Sequence, residues 1–533
     1  VLVALVVAFP VLVLIGALAQ RTWYPTGDQA QAELRVRSLP EHVPLVGAAG
    51  RIQDDERRQG NHPGPLMFWA TWPLYELLGG SSWAFEAATA LVNVAWLAVA
   101  VWLVARRAGI GVCAWFGIGT LVLLGGYGLD VLSQPWNPWV ALLPFTVLVL
   151  ASWSVLEGDR MMPVLAVAAG SYALQGHVGY LPLVGPLVLV ALAWPPIRWL
   201  RRDARPPATT WLWPLLASLA LGLALWSGPL LDVVSNDPHN VSKLLANFGS
   251  PDEEPIGMRR AVEAVLQSIN PAGPLVRGGA EVAGSTLPGL VTLVAWAVVS
   301  VLVAVRGRER SLSRLNLVLG VVTALGVVAV SRIFGSLYLY VFRWIVPIAA
   351  LQLFALGWGL ATLLPVPSER ARHRWAAAAV VALVVMSGVT AVRLAGQEIP
   401  YDQSSRAVSA LAPVVAGQLD ADQRYLVIWD DPAYLGGLGH GLILDLERRG
   451  FDVGGIAPYQ AAIEAHRVIC PGEEDATLTV VTGAANIERY RADPAYTELA
   501  FTDPREDPAA WERNEAALIE ALAADGRPAT SED

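Results

Sequence analysis

Apolar runs of bilayer length recur along the first three-quarters of the chain. They lie near 1–19, 82–104, 109–128, 137–156, 161–177, 180–199, 209–231, 285–305, 314–331, 338–364 and 375–395. A spanning helix needs about 20 mostly apolar residues, so the pattern predicts about eleven transmembrane helices, with 161–177 the shortest. The stretch "PLMFWATWPLYELLG" at 65–79 is too short to span and rich in aromatics. It predicts a helix lying in the membrane interface. Two long polar stretches, 20–81 and 232–284, separate the spans as large loops.

Beyond 396 the pattern changes period. "RYLVIWD" and "ATLTVVTG" read as strands, "GLILDLERRG" as a helix closed by Gly450, and "AAWERNEAALIEALAADG" as a final amphipathic helix. The chain therefore divides into a transmembrane domain, 1–395, and a small α/β domain, 396–533. The tail "RPATSED" is expected to be disordered. "GGLGHG" at 436–441 fails the spaced Gly-x-Gly-x-x-Gly pattern because Leu442 takes the last position, so it predicts a plain loop.

Composition agrees with a membrane setting. Of 533 residues, 54% are hydrophobic and 16% charged, against about 25% charged in soluble chains. The net charge of −9 is uneven: 396–533 holds 25 Asp and Glu against 10 Arg. Basic patches interleaved with aromatics are missing from the sequence, which excludes a nucleic-acid partner. Cys113 lies in an apolar run and Cys470 in a polar one, so no disulfide is expected.

Arginine in short loops orients the spans. Arg106–Arg107, Arg198 to Arg205, Arg306 to Arg314, Arg370 to Arg374 and the weaker "EGDR" at 157–160 all fall on one side of an eleven-span chain. That side is the cytoplasmic one, with the N-terminus there and the domain 396–533 outside. "LIGALAQ" also has the Ala17-x-Ala19 pattern of a cleaved leader; retention of the first helix is the expectation.

The outer side then collects the polar residues that carry chemistry. The first loop holds Asp28 in "TGDQAQAEL" and His62 in "NHPGPLMFW". The second holds Trp136 and Asn137 in "QPWNPW", and the third Gln175 and His177 in "QGHVGY". Arg332, Tyr340 and Arg343 lie in "SRIFGSLYLYVFRW". Ionisable groups at membrane depth are costly and tend to be functional. A carboxylate can act as general base on a hydroxyl. Arginines can grip a phosphate and neutralise a phosphate leaving group. Aromatic faces with Gln, Asn and His suit sugar hydroxyls. Plainer readings exist for each: Gly-Asp makes ordinary turns, Asn137–Pro138 is a helix start, and Arg343 could snorkel.

These blocks resemble the GT-C membrane glycosyltransferases, in particular their RgtA/B/C/D-like and mannosyl- or arabinosyltransferase-like relatives in an actinobacterial branch. The resemblance covers roughly 1–395. It implies a polytopic α-helical enzyme of the bacterial plasma membrane that inverts the anomeric centre. A sugar would pass from a polyprenyl-phosphate donor to an extracytoplasmic glycan, lipid or protein acceptor, amid membrane lipid. Asp28 would be the catalytic base, and Arg343 with Arg332 would bind the donor phosphate. His62, Trp136, Asn137, Gln175, His177 and Tyr340 would bind substrate. The family's second acid is replaced here by Gln29. A divalent metal cofactor is left open; Asp54–Asp55 is an option without a strong motif. A transporter or flippase of lipid-linked intermediates and a non-catalytic envelope scaffold are the alternatives.

Overall fold

The computed structural model describes residues 1–526 apart from 55, 202–206, 252, 279–281, 283, 308, 365–367, 506 and 525, with only the backbone of 372. The tail 527–533 and the second acid of the Asp54–Asp55 pair thus lie outside the described residues. By contacts the chain forms two compact units. One comprises Val1–Arg21 and Leu39–Gln397; the other comprises Thr22–Ser38 and Glu398–Asp533.

The first unit is a polytopic bundle of apolar helices, and each of the eleven runs coincides with helix. Among the described residues, seven helices have the length and composition of a membrane span. The number is eight if Thr209–Leu225 and Ser227–Ser235, bent by 51°, count as one. Leu2–Leu18 is apolar but shorter. The 52-residue helix Ser82–Ser133 holds two of the runs and is not one rod. Gly109 (φ 79°) and Gly128 (φ 72°) break it, because a left-handed backbone costs least at glycine. The run 338–364 is likewise split into Leu339–Phe342 and Ile345–Leu363, with Arg343 and Trp344 between. The segment 65–79, too short to span, is the helix Leu66–Leu77.

At one end of this unit the arginine-bearing loops meet. Arg106 and Arg107 both pair with Asp159, the former at 2.8 Å, and Arg314 pairs with Glu157 at 2.6 Å. Elsewhere an antiparallel hairpin, Ala49–Gln53 with Gln59–Asn61, precedes His62. Asn240 clamps it: Asn61 N–H donates to Asn240 Oδ1 at 2.8 Å, and Asn240 Nδ2 donates to Asn61 O at 2.9 Å.

The second unit is built on a three-stranded parallel sheet. Arg424–Asp430 is central, flanked by Asp452–Gly454 and Ala476–Val481. Helices Asp402–Ala416, Gly437–Arg448, Ala484–Ala492 and Pro508–Ala524 accompany it. The helix Gly27–Arg37 belongs here too. It buries Ala30, Leu34 and Val36 completely, packing against Gly437–Arg448 and Gln460–Ile463. "GGLGHG" is not a loop: all but its first glycine open the helix Gly437–Arg448, and Gly436 precedes it at φ 80°. The glycines predicted a loop, whereas tertiary packing against both faces holds the segment helical.

Candidate active site

Arg343 follows the short helix Leu339–Phe342 and is only 4% exposed. Its guanidinium carbon lies 4.8 Å from the Trp139 ring centroid and 5.9 Å from that of Tyr127. Such placement over ring faces is electrostatically favourable. Asp130, Tyr127 and Tyr180 lie within electrostatic reach. A snorkelling arginine keeps its head in water; this one is turned onto aromatic faces. Trp136 meets Trp139 edge-on at 4.7 Å and Tyr340 at 5.2 Å, and Tyr340 stacks on Tyr338 at 5.4 Å. The backbone reason is local. Gly128 turns the chain after Tyr127, and Pro138 starts the helix Asn137–Val140 that presents Trp139.

Next to this shelf sits a pair of buried histidines. His62 and His177 stack with centroids 4.7 Å apart. His62 Nδ1 accepts from Val178 N–H at 3.3 Å, and His177 Nδ1 accepts from Gly179 N–H at 3.1 Å. Both neutral rings therefore carry their proton on Nε2. Burial pushes His177 down to about 4. Burial, and then the neighbouring His177, hold His62 well below the usual histidine range. Both are uncharged donors at neutral pH. The His177 and Tyr180 rings meet edge to face with centroids 6.2 Å apart, which links the pair to the arginine cluster.

Gln175 is fully buried, and its Nε2 donates to Leu225 O at 2.8 Å. Its carbonyl oxygen Oε1 has no partner among the described residues. Gly64 lies against this amide, and a Cβ there would collide with it. Asn137 is buried at the start of its helix, with its carbonyl near Gly176. So Arg343, Trp136 and Tyr340 form one cluster, and His62, His177 and Gln175 an adjoining one beside Asn137. Arg332 is not joined to them: it ends the helix Arg310–Ser331, exposed, and no described contact connects it to Arg343.

Tyr127 and Trp139 are site residues that the sequence reading passed over. Each sits in an apolar run rich in aromatics, where nothing local separates a ring that packs from one that faces a cation. A faint signal exists in the i, i+3 spacing of Trp136 and Trp139.

Asp28 lies in the second unit, exposed in the first turn of Gly27–Arg37. An acid in that position is favoured by the helix dipole. Thr26 is extended before it, and Gly27 has φ 51°. No group of three or more His, Cys, Asp or Glu among the described residues is gathered as a metal site needs. Asp54 instead accepts from Glu56 N–H, Arg58 N–H and the Arg58 side chain in its own turn.

No family model and no curated protein matches the chain. Solved structures do. ArnT from Cupriavidus metallidurans, bound to undecaprenyl phosphate, aligns with TM-score 0.53 at 17% identity, over 87% of this chain and 88% of its own. Its apo state aligns with the same score and coverage at 16% identity. The archaeal oligosaccharyltransferase AglB from Archaeoglobus fulgidus, with an inhibitory peptide and a dolichol-phosphate, aligns with TM-score 0.41 at 11% identity, over 82% of this chain and 63% of its own. The helical bundle and the alignment over 87% of this chain lead to one statement: the fold of this chain is the GT-C fold of membrane glycosyltransferases.

Proposed function

We propose that this chain is a membrane glycosyltransferase that uses a polyprenyl-phosphate-linked sugar as donor. The observation that carries the reading is Arg343, a buried cation cradled by Trp139 and Tyr127 in a fold shared with a protein that binds undecaprenyl phosphate. A guanidinium fork matches a phosphate and neutralises the charge that develops on it as it leaves. Arg332 is a second candidate for that phosphate. Neutral Nε2–H donors on His62 and His177, the Gln175 amide and Asn137 suit sugar hydroxyls, and Trp136 and Tyr340 suit the sugar's apolar face.

In the reaction, an acceptor hydroxyl oxygen attacks the anomeric carbon of the donor. The new C–O bond forms as the bond from carbon to phosphate oxygen breaks. The electron pair leaves on polyprenyl phosphate, and the hydroxyl proton passes to the Asp28 carboxylate. A single displacement of this kind inverts the anomeric centre. General base action contributes about 10²–10⁴-fold. The acceptor is an extracytoplasmic glycan, lipid or protein. The reading places the N-terminus in the cytoplasm of a bacterial plasma membrane and the working residues outside.

The test uses the full chain in membranes, supplied with polyprenyl-phosphate sugars from the host. Asp28→Asn is expected to lower turnover by about 10²–10⁴-fold while undecaprenyl phosphate still binds. Unchanged product formation in Asp28→Asn at normal expression would sink the base assignment.

A further inference from the structure

The segment Gly436–Gly441 has a use that its failure as a nucleotide loop left unassigned. Its glycines face two ways. A Cβ at Gly436 or Gly439 would collide with the Trp429 ring. Trp429 is itself stacked on Tyr459, with centroids 3.9 Å apart. Gly437 and Gly441, one helical turn apart, face the strand of chain that leads into Asp28. A Cβ at Gly437 would lie 3.3 Å from Gly27 N, and one at Gly441 would lie 2.8 Å from Pro25 O and 3.3 Å from Thr26 Cγ2. No side chain larger than hydrogen fits Gly441 without moving the Pro25–Thr26 backbone.

The same segment is tied down elsewhere. Tyr24 N–H donates to Ser405 Oγ at 2.9 Å, and the Thr26 and Ser404 hydroxyls are 2.8 Å apart. At the far end of Gly27–Arg37, Arg467 donates to Leu34 O at 3.1 Å, Arg35 to Ala461 O at 2.6 Å, and Ser38 to Glu464 at 2.5 Å. Fully buried Glu33 pairs with Arg448. A helix bound so tightly at both ends has its first turn fixed relative to the sheet.

We propose that the face of Gly437 and Gly441 is the seat that sets the position of Asp28. The unit that holds 398–533 is then a positioning part of the transferase rather than an appendage. Gly437 and Gly441 are positioning residues, and this role rests on the reading of Asp28 as the base.

The experiment compares Gly441→Ala, Gly437→Ala, Gly450→Ala and Asp28→Asn in the full chain. Turnover and donor KM are measured with host polyprenyl-phosphate sugars, together with undecaprenyl phosphate binding and amide exchange over 22–30. Gly441→Ala is expected to lower kcat about tenfold or more, leaving donor KM and undecaprenyl phosphate binding unchanged, with faster exchange over 22–30. A shift of about 1 Å at a reacting group can cost on the order of 10²-fold. Gly437→Ala, whose contact is looser, should lose about two- to threefold. Gly450→Ala strains the opposite end of the same helix at φ 91° and should leave kcat unchanged. Should Gly441→Ala fail to fold, the kcat and exchange of Gly437→Ala decide. A wild-type kcat in the folded glycine variants, with Asp28→Asn inactive, overturns the seat and leaves the base. An active Asp28→Asn removes the base and the seat with it.

Discussion

Arginine is buried in both units, for opposite ends. Arg467 is saturated by its own chain: its guanidinium donates to Glu447 at 2.5 and 3.0 Å, to Glu464 at 3.3 Å, and to Ser38 Oγ, Ile463 O and Leu34 O. Arg343 is met by ring faces, with the Asp130 charge within electrostatic reach. The first arrangement uses the fork to fasten elements far apart in sequence. Aromatic faces stabilise a cation through the ring quadrupole, a contact that fastens no distant element of the chain. The comparison teaches that burial of a charge does not define its role; the geometry of its partners does.

The largest break in this comparison is Arg343→Ala. Loss of the donor-phosphate grip is expected to lower kcat/KM by about 10³-fold, with Arg343→Lys recovering part of it because a point charge lacks the fork. Normal turnover in Arg343→Ala would remove the donor-site reading. Arg467→Met should act on stability instead. It leaves Glu447 with Arg37 and Glu464 with Ser38 as their remaining partners; breaking a buried pair costs up to about 3–5 kcal/mol, seen as protease sensitivity of 398–533 while undecaprenyl phosphate binding persists. If Arg467→Met abolished that binding, the two arginines would not be separable in this way.

Smaller effects sharpen the contrast. Trp139→Leu removes the nearer ring from Arg343, and a desolvated cation–π contact is worth about 2 kcal/mol. Donor affinity should fall about 10- to 30-fold, and Trp139→Phe should restore most of it. Acid should loosen the first unit through the histidine pair. The folded value of His177 is about 4 against 6.5 unfolded, so the unfolded chain takes up the proton first. This contribution to stability is full above 6.5 and is lost as pH falls toward 4, at up to about 1.4 kcal/mol per pH unit. Thermal unfolding from pH 7 to 5 should show it, and His177→Gln should flatten the slope; an equal slope in that variant would refute the assignment.

Much of this was legible in the chain. Hydropathy alone located the helices, because a lipid-facing backbone must satisfy its own hydrogen bonds and the side chains advertise it. The loops of Arg106–Arg107, Glu157–Arg160 and Arg314 were grouped by charge, and they do meet through ion pairs. The strands Arg424–Asp430 and Ala476–Val481 were visible in their β-branched and aromatic content. Arg343 stood out as a cation between apolar neighbours, and the blocks that carry His62, Gln175 and His177 lie together in the first unit.

What the sequence by itself determined is therefore the set of local elements and their apolar or polar character, since period and composition report burial one segment at a time. Only the tertiary structure decided who pairs with whom. The helix Gly27–Arg37 lies in the stretch 20–81 that reads as a polar loop, yet Glu33 is fully buried, paired with Arg448 more than 400 positions away. For the same reason the boundary of the second unit reaches back to Thr22–Ser38, and three of the four glycines that looked like a loop became packing positions of a helix. Long-range charge pairing and close backbone approach leave no local periodic trace, so they appear only when the chain is folded.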